Sequence, residues 1–143
     1  MPRHHREPEL EVRRGRSTVY TLHAHLVYVT NYRRPAFTDP MLTCCEHLMR
    51  EICAGVGAEL REFNGDTDHV HLPVHYPPSL APSVLVNRLK GISSRQLRQQ
   101  YPVHIRKYLW SNHFWSPSYF AASCGGAPLS IIKQYIEQQN RPD

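Results

Sequence analysis

At 143 residues, with 41% hydrophobic and 20% charged content, the chain has the size and composition of one globular domain rather than two. No apolar run approaches the roughly 18 residues needed to span a bilayer, and the Arg- and Glu-bearing N-terminus lacks the apolar stretch of a secretory signal, so a cytoplasmic location and no membrane partner are expected. The net charge is +5, but between Asp68 and Glu137 there is no Asp or Glu, while Arg88, Lys90, Arg95, Arg98, Arg106, Lys107 and Lys133 fall there; a one-sign surface of this kind points to an anionic partner, most commonly nucleic acid.

In chain order, residues 1–17 are rich in Arg, Glu and Pro and read as a flexible leader, with the domain proper occupying 18–143. Thr18 to Thr30 is dense in β-branched and aromatic residues and reads as one strand. A loop with Pro35, Pro40 and two adjacent arginines follows. Leu42, Cys45, Leu48, Met49 and Ile52 recur at helical spacing, predicting a helix over Met41 to Val56 that ends near Gly55 or Gly57. Ala58 to Asn64 and His69 to His75 read as two strands joined by a Gly-Asp-Thr-Asp turn, with Pro73 weakening the second or marking a bulge.

A second amphipathic helix is predicted over Ser83 to Gln100, its apolar side formed by Val84, Leu85, Leu89, Ile92 and Leu97. Phe114 to Ser123 reads as one further strand or a strand pair. After the Gly125-Gly126-Ala127-Pro128 break, Leu129 to Gln139 is a short terminal helix. The order β α β β α β α is close to a split βαβ. The expected fold is therefore α+β: a ferredoxin-like, RRM-like antiparallel sheet with helices on one face and an added C-terminal helix. Cys44, Cys45, Cys53 and Cys124 include no CxxC pair, so all four are read as reduced, with no structural zinc.

Three groups of residues can carry chemistry. His69 and His71 flank Val70, and in a strand residues two apart project to the same face, so both imidazoles can meet a divalent cation if a third ligand arrives; in a chain with ten histidines such a pair also arises by chance. Tyr135 and Gln139 lie one turn apart on one face of the terminal helix, offering a hydroxyl nucleophile and a hard amide oxygen. The ordinary alternative is a tyrosine at the edge of an amphipathic helix held by Leu129, Ile132 and Ile136. Trp110, Phe114, Trp115, Tyr119 and Phe120 are interleaved with His104, Arg106, Lys107 and His113, a composition suited to stacking unpaired bases and tracking phosphates, or in part to a core.

Taken together, the segments DHVH, LKG within a basic helix, WSPSYF and GGAPLSIIKQYIEQQ resemble the HUH-type single-tyrosine transposases (TnpA) of small bacterial insertion sequences. His69-Val70-His71 matches the family's two histidines around a hydrophobic residue, and Tyr135 with Gln139 matches its tyrosine helix. HLVYVTNYRRPAF looks like its first strand and basic loop. The resemblance runs from Tyr20 to Gln139, with Asn31 where a lysine often stands, Pro73 in place of an aliphatic residue and a longer leader.

The resemblance implies cleavage and rejoining of single-stranded DNA at insertion-sequence ends in a bacterial or archaeal cell. Tyr135 would form a 5′-phosphotyrosine link, and His69, His71 and Gln139 would hold one Mg²⁺ or Mn²⁺. It also implies recognition of subterminal hairpins, with Arg33, Arg34, Lys90 and Arg95 as candidate DNA contacts, no nucleotide cofactor, and a homodimer whose tyrosine helix can complete the partner's site. Two other readings stay open at this stage: a domesticated relative acting on chromosomal repeats, and a non-catalytic nucleic-acid-binding module of the same topology. A replication initiator or relaxase shares the HUH core but is usually longer.

Overall fold

The computed structural model describes residues 13–14, 19–20, 22–109, 112–123 and 129–139. Two short strands, β1 (Arg13–Arg14) and β2 (Val19–Tyr20), pair antiparallel; the rest of the expected leader lies outside the described residues. The single strand expected over Thr18 to Thr30 is thus two pieces, and β3 (His23–Val29) enters a different sheet. After a tight turn at Asn31–Arg33, α1 spans Asp39–Gly55. Its start is fixed by the Thr38 hydroxyl, which accepts from Met41 N at 3.3 Å, and by Pro40 in the first turn, where no backbone donor is needed. Its end is set by Gly57, whose φ of 77° an L side chain resists.

β4 (Glu59–Leu60), β5 (Asn64–Gly65) and β6 (His69–His75) follow, then α2 (Pro82–Gln100), α3 (Pro102–Tyr108), β7 (Phe120–Ser123) and α4 (Leu129–Glu137). The strands order β4-β6-β3-β7, with β5 also on β6, and every described pairing is antiparallel. This is the interlocked split βαβ arrangement expected from the sequence. β3 and β6 form the backbone of the sheet, in unbroken register from His23↔His75 to Val29↔His69.

Pro73 causes neither a bulge nor a break. Its carbonyl accepts from Arg61 N at 2.9 Å, and in an antiparallel strand a residue's N–H and C=O point the same way. The missing donor therefore falls on the β4 side, where pairing stops after two residues, and the β3 ladder is intact.

Side-chain alternation divides the sheet. Leu26, Tyr28, Val70, Leu72 and Val74 face the main core, against Met41, Cys45, Met49 and Cys53 of α1 and Leu85, Val86, Leu89 and Leu97 of α2. Val84, expected on the apolar side of α2, is exposed, and Val86 takes the inward position. The odd-numbered residues of β3 and β6 face the other way. There Val27 and Val29 meet Ile132 of α4, with Phe120, Tyr135 and Ile136 around them.

The expected strand over Phe114 to Ser123 is mostly not one. Only Phe120–Ser123 pairs with β3; Trp115 makes a lone bridge to Thr30, because Pro117 interrupts the segment between them. Phe114 and Trp115 are core residues rather than base-stacking ones, Tyr119 is exposed, and Trp110 lies outside the described residues. Cys44, Cys45 and Cys53 are free thiols. No described helix is long and apolar enough to cross a membrane.

Two substitutions test this packing. The buried Trp115 indole donates to Ser93 Oγ at 2.9 Å, so Ser93→Ala leaves an unpaired buried N–H and should cost about 1–3 kcal/mol in chemical denaturation. A Cβ on Gly65 would sit 2.6 Å from Leu42 Cδ2, so Gly65→Ala should lower stability by about 1 kcal/mol, less in a Leu42→Ala background where the obstructing methyl is gone.

Candidate active site

The second face of the sheet collects the sequence-predicted residues. The period of two in β6 sends His69 and His71 away from the core, while Val70 between them is fully buried. The paired register places His69 beside Val29 and His71 beside Val27, and Phe120 of β7 lies beyond Val27 in the same row. Tyr135 packs on the Phe120 ring at 5.6 Å, so α4 covers the β3–β7 half of the face and the histidines occupy the other half. Phe120, on which Tyr135 packs, is two strand positions along the row from His71, roughly 10 Å.

Each half has its own hydrogen-bond system. On the histidine side, Asp68 Oδ1 lies 2.8 Å from His69 Nδ1 and Asp68 Oδ2 accepts from Arg33 Nε at 3.2 Å. The His69 bond, followed by that of Arg33, holds the Asp68 carboxyl below its ordinary range despite partial burial. With Nδ1 turned to the carboxylate, His69 keeps Nε2 for another partner, the arrangement by which a carboxylate orients a metal-binding imidazole. His71 Nε2 lies 3.1 Å from Nδ1 of His25, the next odd position on β3. Burial, then the neighbouring His25 and His69, pushes His71 down to about 4, and burial also lowers His25, so both rings are neutral near pH 7.

On the α4 side, Gln139 Oε1 accepts from Ser116 Oγ at 3.2 Å and Ser118 Oγ at 3.1 Å, and Gln139 Nε2 donates to the Tyr135 carbonyl at 3.2 Å. An amide oxygen only accepts, so Ser118 gives its proton to Gln139 and its oxygen receives that of the Tyr135 hydroxyl, 2.9 Å away. Burial raises the Tyr135 pKa, so the tyrosine is protonated at neutral pH. Both lone pairs of the Gln139 amide oxygen are taken by serines, so binding a cation requires it to release at least one.

The basic candidates separate. Arg33 is committed to Asp68 and thereby to His69. Lys90 Nζ donates to the carbonyls of Ser116 at 2.8 Å and Pro117 at 3.2 Å, fixing the segment that carries both serines. Arg34 is half-buried, and Arg95 alone of the four is well exposed, on α2. Between the two halves, Tyr32 and Arg33 both adopt left-handed backbone (φ 57° and 55°), at a cost of about 1–2 kcal/mol each. The turn is held by Thr30, whose Oγ1 donates toward the carbonyls of Arg34 and Asp68, and it leaves the Tyr32 ring exposed.

His25, Asp68, Ser116 and Ser118 were not singled out from the sequence. His23-Ala24-His25 repeats the two-residue spacing of His69-Val70-His71 and was a usable signal; the serines had none. Among the described residues, no three His, Cys, Asp or Glu side chains are already gathered around one point to hold a metal.

An open antiparallel sheet backed by two helices has counterparts among transposases. Residues 18–139 match the family model for IS200-like transposases, and the chain belongs to that family. The ISDra2 transposase TnpA of Deinococcus radiodurans is 32% identical over 131 residues, covering 92% of this chain and 93% of that one. The transposase for insertion sequence element IS200 of Salmonella typhimurium is 29% identical over 119 residues, covering 83% and 77%. The crystal structure of a putative transposase from Deinococcus radiodurans superposes with a TM-score of 0.81 at 30% identity, covering 91% of this chain and 99% of that one. A REP-associated tyrosine transposase bound to a REP hairpin shares the fold at a TM-score of 0.50 and 12% identity, over 82% of this chain and 63% of the other.

The Asp68 bridge yields a pH-dependent prediction. A carboxyl held below its ordinary value of 3.8 stabilises the fold above that pH and loses its contribution as pH falls through the folded value. Asp68→Asn should therefore cost about 1–3 kcal/mol in urea denaturation at pH 7, and the gap to wild type should close in the acid range below the ordinary carboxylate pKa.

Proposed function

We propose that this transposase cleaves and rejoins single-stranded DNA at the ends of an insertion sequence, with Tyr135 as nucleophile. The observation that carries the reading is the tyrosine hydroxyl and the Gln139 amide on one helix, docked on the sheet face that bears His69 and His71. The Tyr135 oxygen attacks phosphorus, the bond from phosphorus to the 3′-oxygen breaks, and that oxygen leaves as a 3′-hydroxyl. The 5′ end is then held as a phosphotyrosine until another 3′-hydroxyl reverses the exchange. One phosphodiester replaces another, so no nucleotide cofactor enters the balance.

His69, His71 and Gln139 would hold one Mg²⁺ or Mn²⁺, and their donor types fit: two imidazoles on one face, one of them oriented by Asp68, and an amide oxygen. When bound, the ion supplies Lewis-acid polarisation of the scissile phosphate. Ser118 holds the tyrosine proton in the resting state, and Lys90 keeps Ser116 and Ser118 in place.

The placement of α4 and the histidines on different halves of one sheet face is compatible with a homodimer in which each tyrosine helix serves its partner's histidines. Hairpin recognition near the element's ends is supported by the REP hairpin bound to the structurally similar tyrosine transposase. Its phosphate contacts are assigned to exposed basic residues, Arg95 of α2 with Arg106 and Lys107 of α3, more than to Arg33, Arg34 and Lys90.

The deciding experiment incubates the protein with labelled single-stranded oligonucleotides from the gene's own flanks, with and without Mg²⁺ or Mn²⁺, on a denaturing gel. A metal-dependent covalent band is expected from wild type, absent with Tyr135→Phe and with double-stranded DNA. A band that survives Tyr135→Phe assigns the nucleophile elsewhere, and a band of equal strength in chelator removes the metal from the cleavage step.

A further inference from the structure

We propose that Tyr32 is a substrate-positioning residue whose ring stacks on an unpaired base of the single strand, next to the phosphate to be cleaved. This deepens the reading above and rests on its assignment of single-stranded DNA as the substrate.

The first observation is backbone strain with no return inside the chain. Tyr32 and Arg33 are successive left-handed residues, with φ of 57° and 55°, a conformation that Gly, Asn and Asp tolerate and a bulky aromatic residue rarely adopts. Arg33 uses the turn to reach Asp68, its Nε lying 3.2 Å from Oδ2. Tyr32 has no comparable use: 53% of it stays exposed, so the strain does not serve to bury the ring. An asparagine would make the same turn at lower cost. Strained residues of this kind cluster at ligand clamps, where the strain holds a side chain on display.

The second observation is where the turn is fastened. It continues β3 past Val29, the register partner of His69. Thr30 N donates to the carbonyl of Asp68, the residue before His69, at 2.9 Å, and Asn31 N donates to the carbonyl of Phe114 at 2.9 Å. Ser116 N donates to the Val29 carbonyl at 2.7 Å, and two residues on Ser118 meets the Tyr135 hydroxyl. The turn is thus bound both to the histidine strand and to the segment that touches Tyr135. The exposed Tyr32 ring belongs to the end of the sheet where these two meet.

The ring and its charge setting define the ligand. No Asp or Glu lies between Glu11 and Asp39, while five arginines do, Arg33 and Arg34 among them. An exposed aromatic ring in a basic segment suits an unpaired base, because every base has a π-face and its phosphate seeks cations. A base inside a duplex is already stacked on both sides, so the contact selects single strands. A stack beside the scissile phosphate fixes the register of the strand before Tyr135 engages it.

The test measures binding, so it does not depend on cleavage. Fluorescence anisotropy follows single-stranded oligonucleotides from the gene's own flanks, and their duplexes, on full-length wild type and on Tyr32→Phe, Tyr32→Trp, Tyr32→Asn and Tyr32→Ala. The same oligonucleotides carry 2-aminopurine at successive positions, whose fluorescence is quenched by stacking. Thermal melting and sedimentation of each DNA-free variant accompany the series.

Tyr32→Phe and Tyr32→Trp should bind the single strand as wild type does, and Tyr32→Asn and Tyr32→Ala about 5-fold or more weakly, the loss of one base–aromatic stack. A 2-aminopurine next to the cleaved bond should be quenched by wild type and not by Tyr32→Asn, which should melt no lower than wild type because asparagine accepts the left-handed backbone. Unchanged affinity and quenching in Tyr32→Asn, with the Tyr135 adduct still formed, overturns the stacking role and leaves the reading of the reaction standing. An affinity loss accompanied by a lower melting temperature in Tyr32→Asn assigns the ring to the fold, and altered sedimentation assigns it to an interface between copies; either overturns the proposal. Failure of wild type to bind any single strand overturns both the proposal and the reading beneath it.

Discussion

The β3–β6 ladder is the constraint from which the rest of the molecule follows. Its seven paired positions run without a bulge, so the period of two is kept from one end of the sheet to the other. One phase of that period buries Leu26, Tyr28, Val70, Leu72 and Val74 under α1 and α2. Slipping the register by one residue would send these into solvent and the histidines into the core, at a cost of many kcal/mol of lost burial and unpaired imidazoles. The stability of the core and the placement of the chemical groups are therefore enforced by the same hydrogen bonds. Pro73 fits because its missing donor falls on the β4 side, between the short β4 and β5 pairings, and not in the β3 ladder.

The two halves of the site are held with different firmness. His69 and His71 stand on a central strand, and His69 is further fixed by Asp68, Arg33 and the strained turn around Thr30. Such a network is rigid because each member restrains the next. α4 is only nine residues, short of the length at which an isolated helix holds its shape in water, so it depends on what it touches. Those contacts are Ile132, Ile136 and Tyr135 on Val27, Val29 and Phe120, together with the hydroxyls of Ser116 and Ser118. A fixed histidine platform beside a lightly docked tyrosine helix suits the proposed reaction, in which one strand is held while another is exchanged.

The segment between α3 and β7 links these halves. Trp115 anchors it in the core through Ser93, Lys90 caps the carbonyls of Ser116 and Pro117, and the two serines then present their hydroxyls to α4. Lys90 is thus a structural cation. Burial lowers its pKa, but two carbonyl acceptors compensate for the lost water. This explains why a basic helix does not translate directly into a basic surface: the amphipathic pattern marks which residues are polar, not which of them are already used.

By itself the sequence determined the α+β class, three of the four helices, the β6 strand, the shared face of His69 and His71 and that of Tyr135 and Gln139. Each of these depends on a local period, two for a strand and 3.6 for a helix, that the residue order states outright. It also carried the resemblance to single-tyrosine transposases, which family membership bears out. Only the tertiary structure decided what lies between these pieces. The pairing of His25 with His71 spans 46 positions and the Ser118–Tyr135 bond 17, so no local pattern announces either. The breakup of the segment 114–123 into a buried Trp115, a proline-interrupted loop and a short strand was likewise settled by packing against α2 and β3. Periodicity says which way a side chain points; what it meets there is set by chain segments far away in sequence, brought together by the burial of the core.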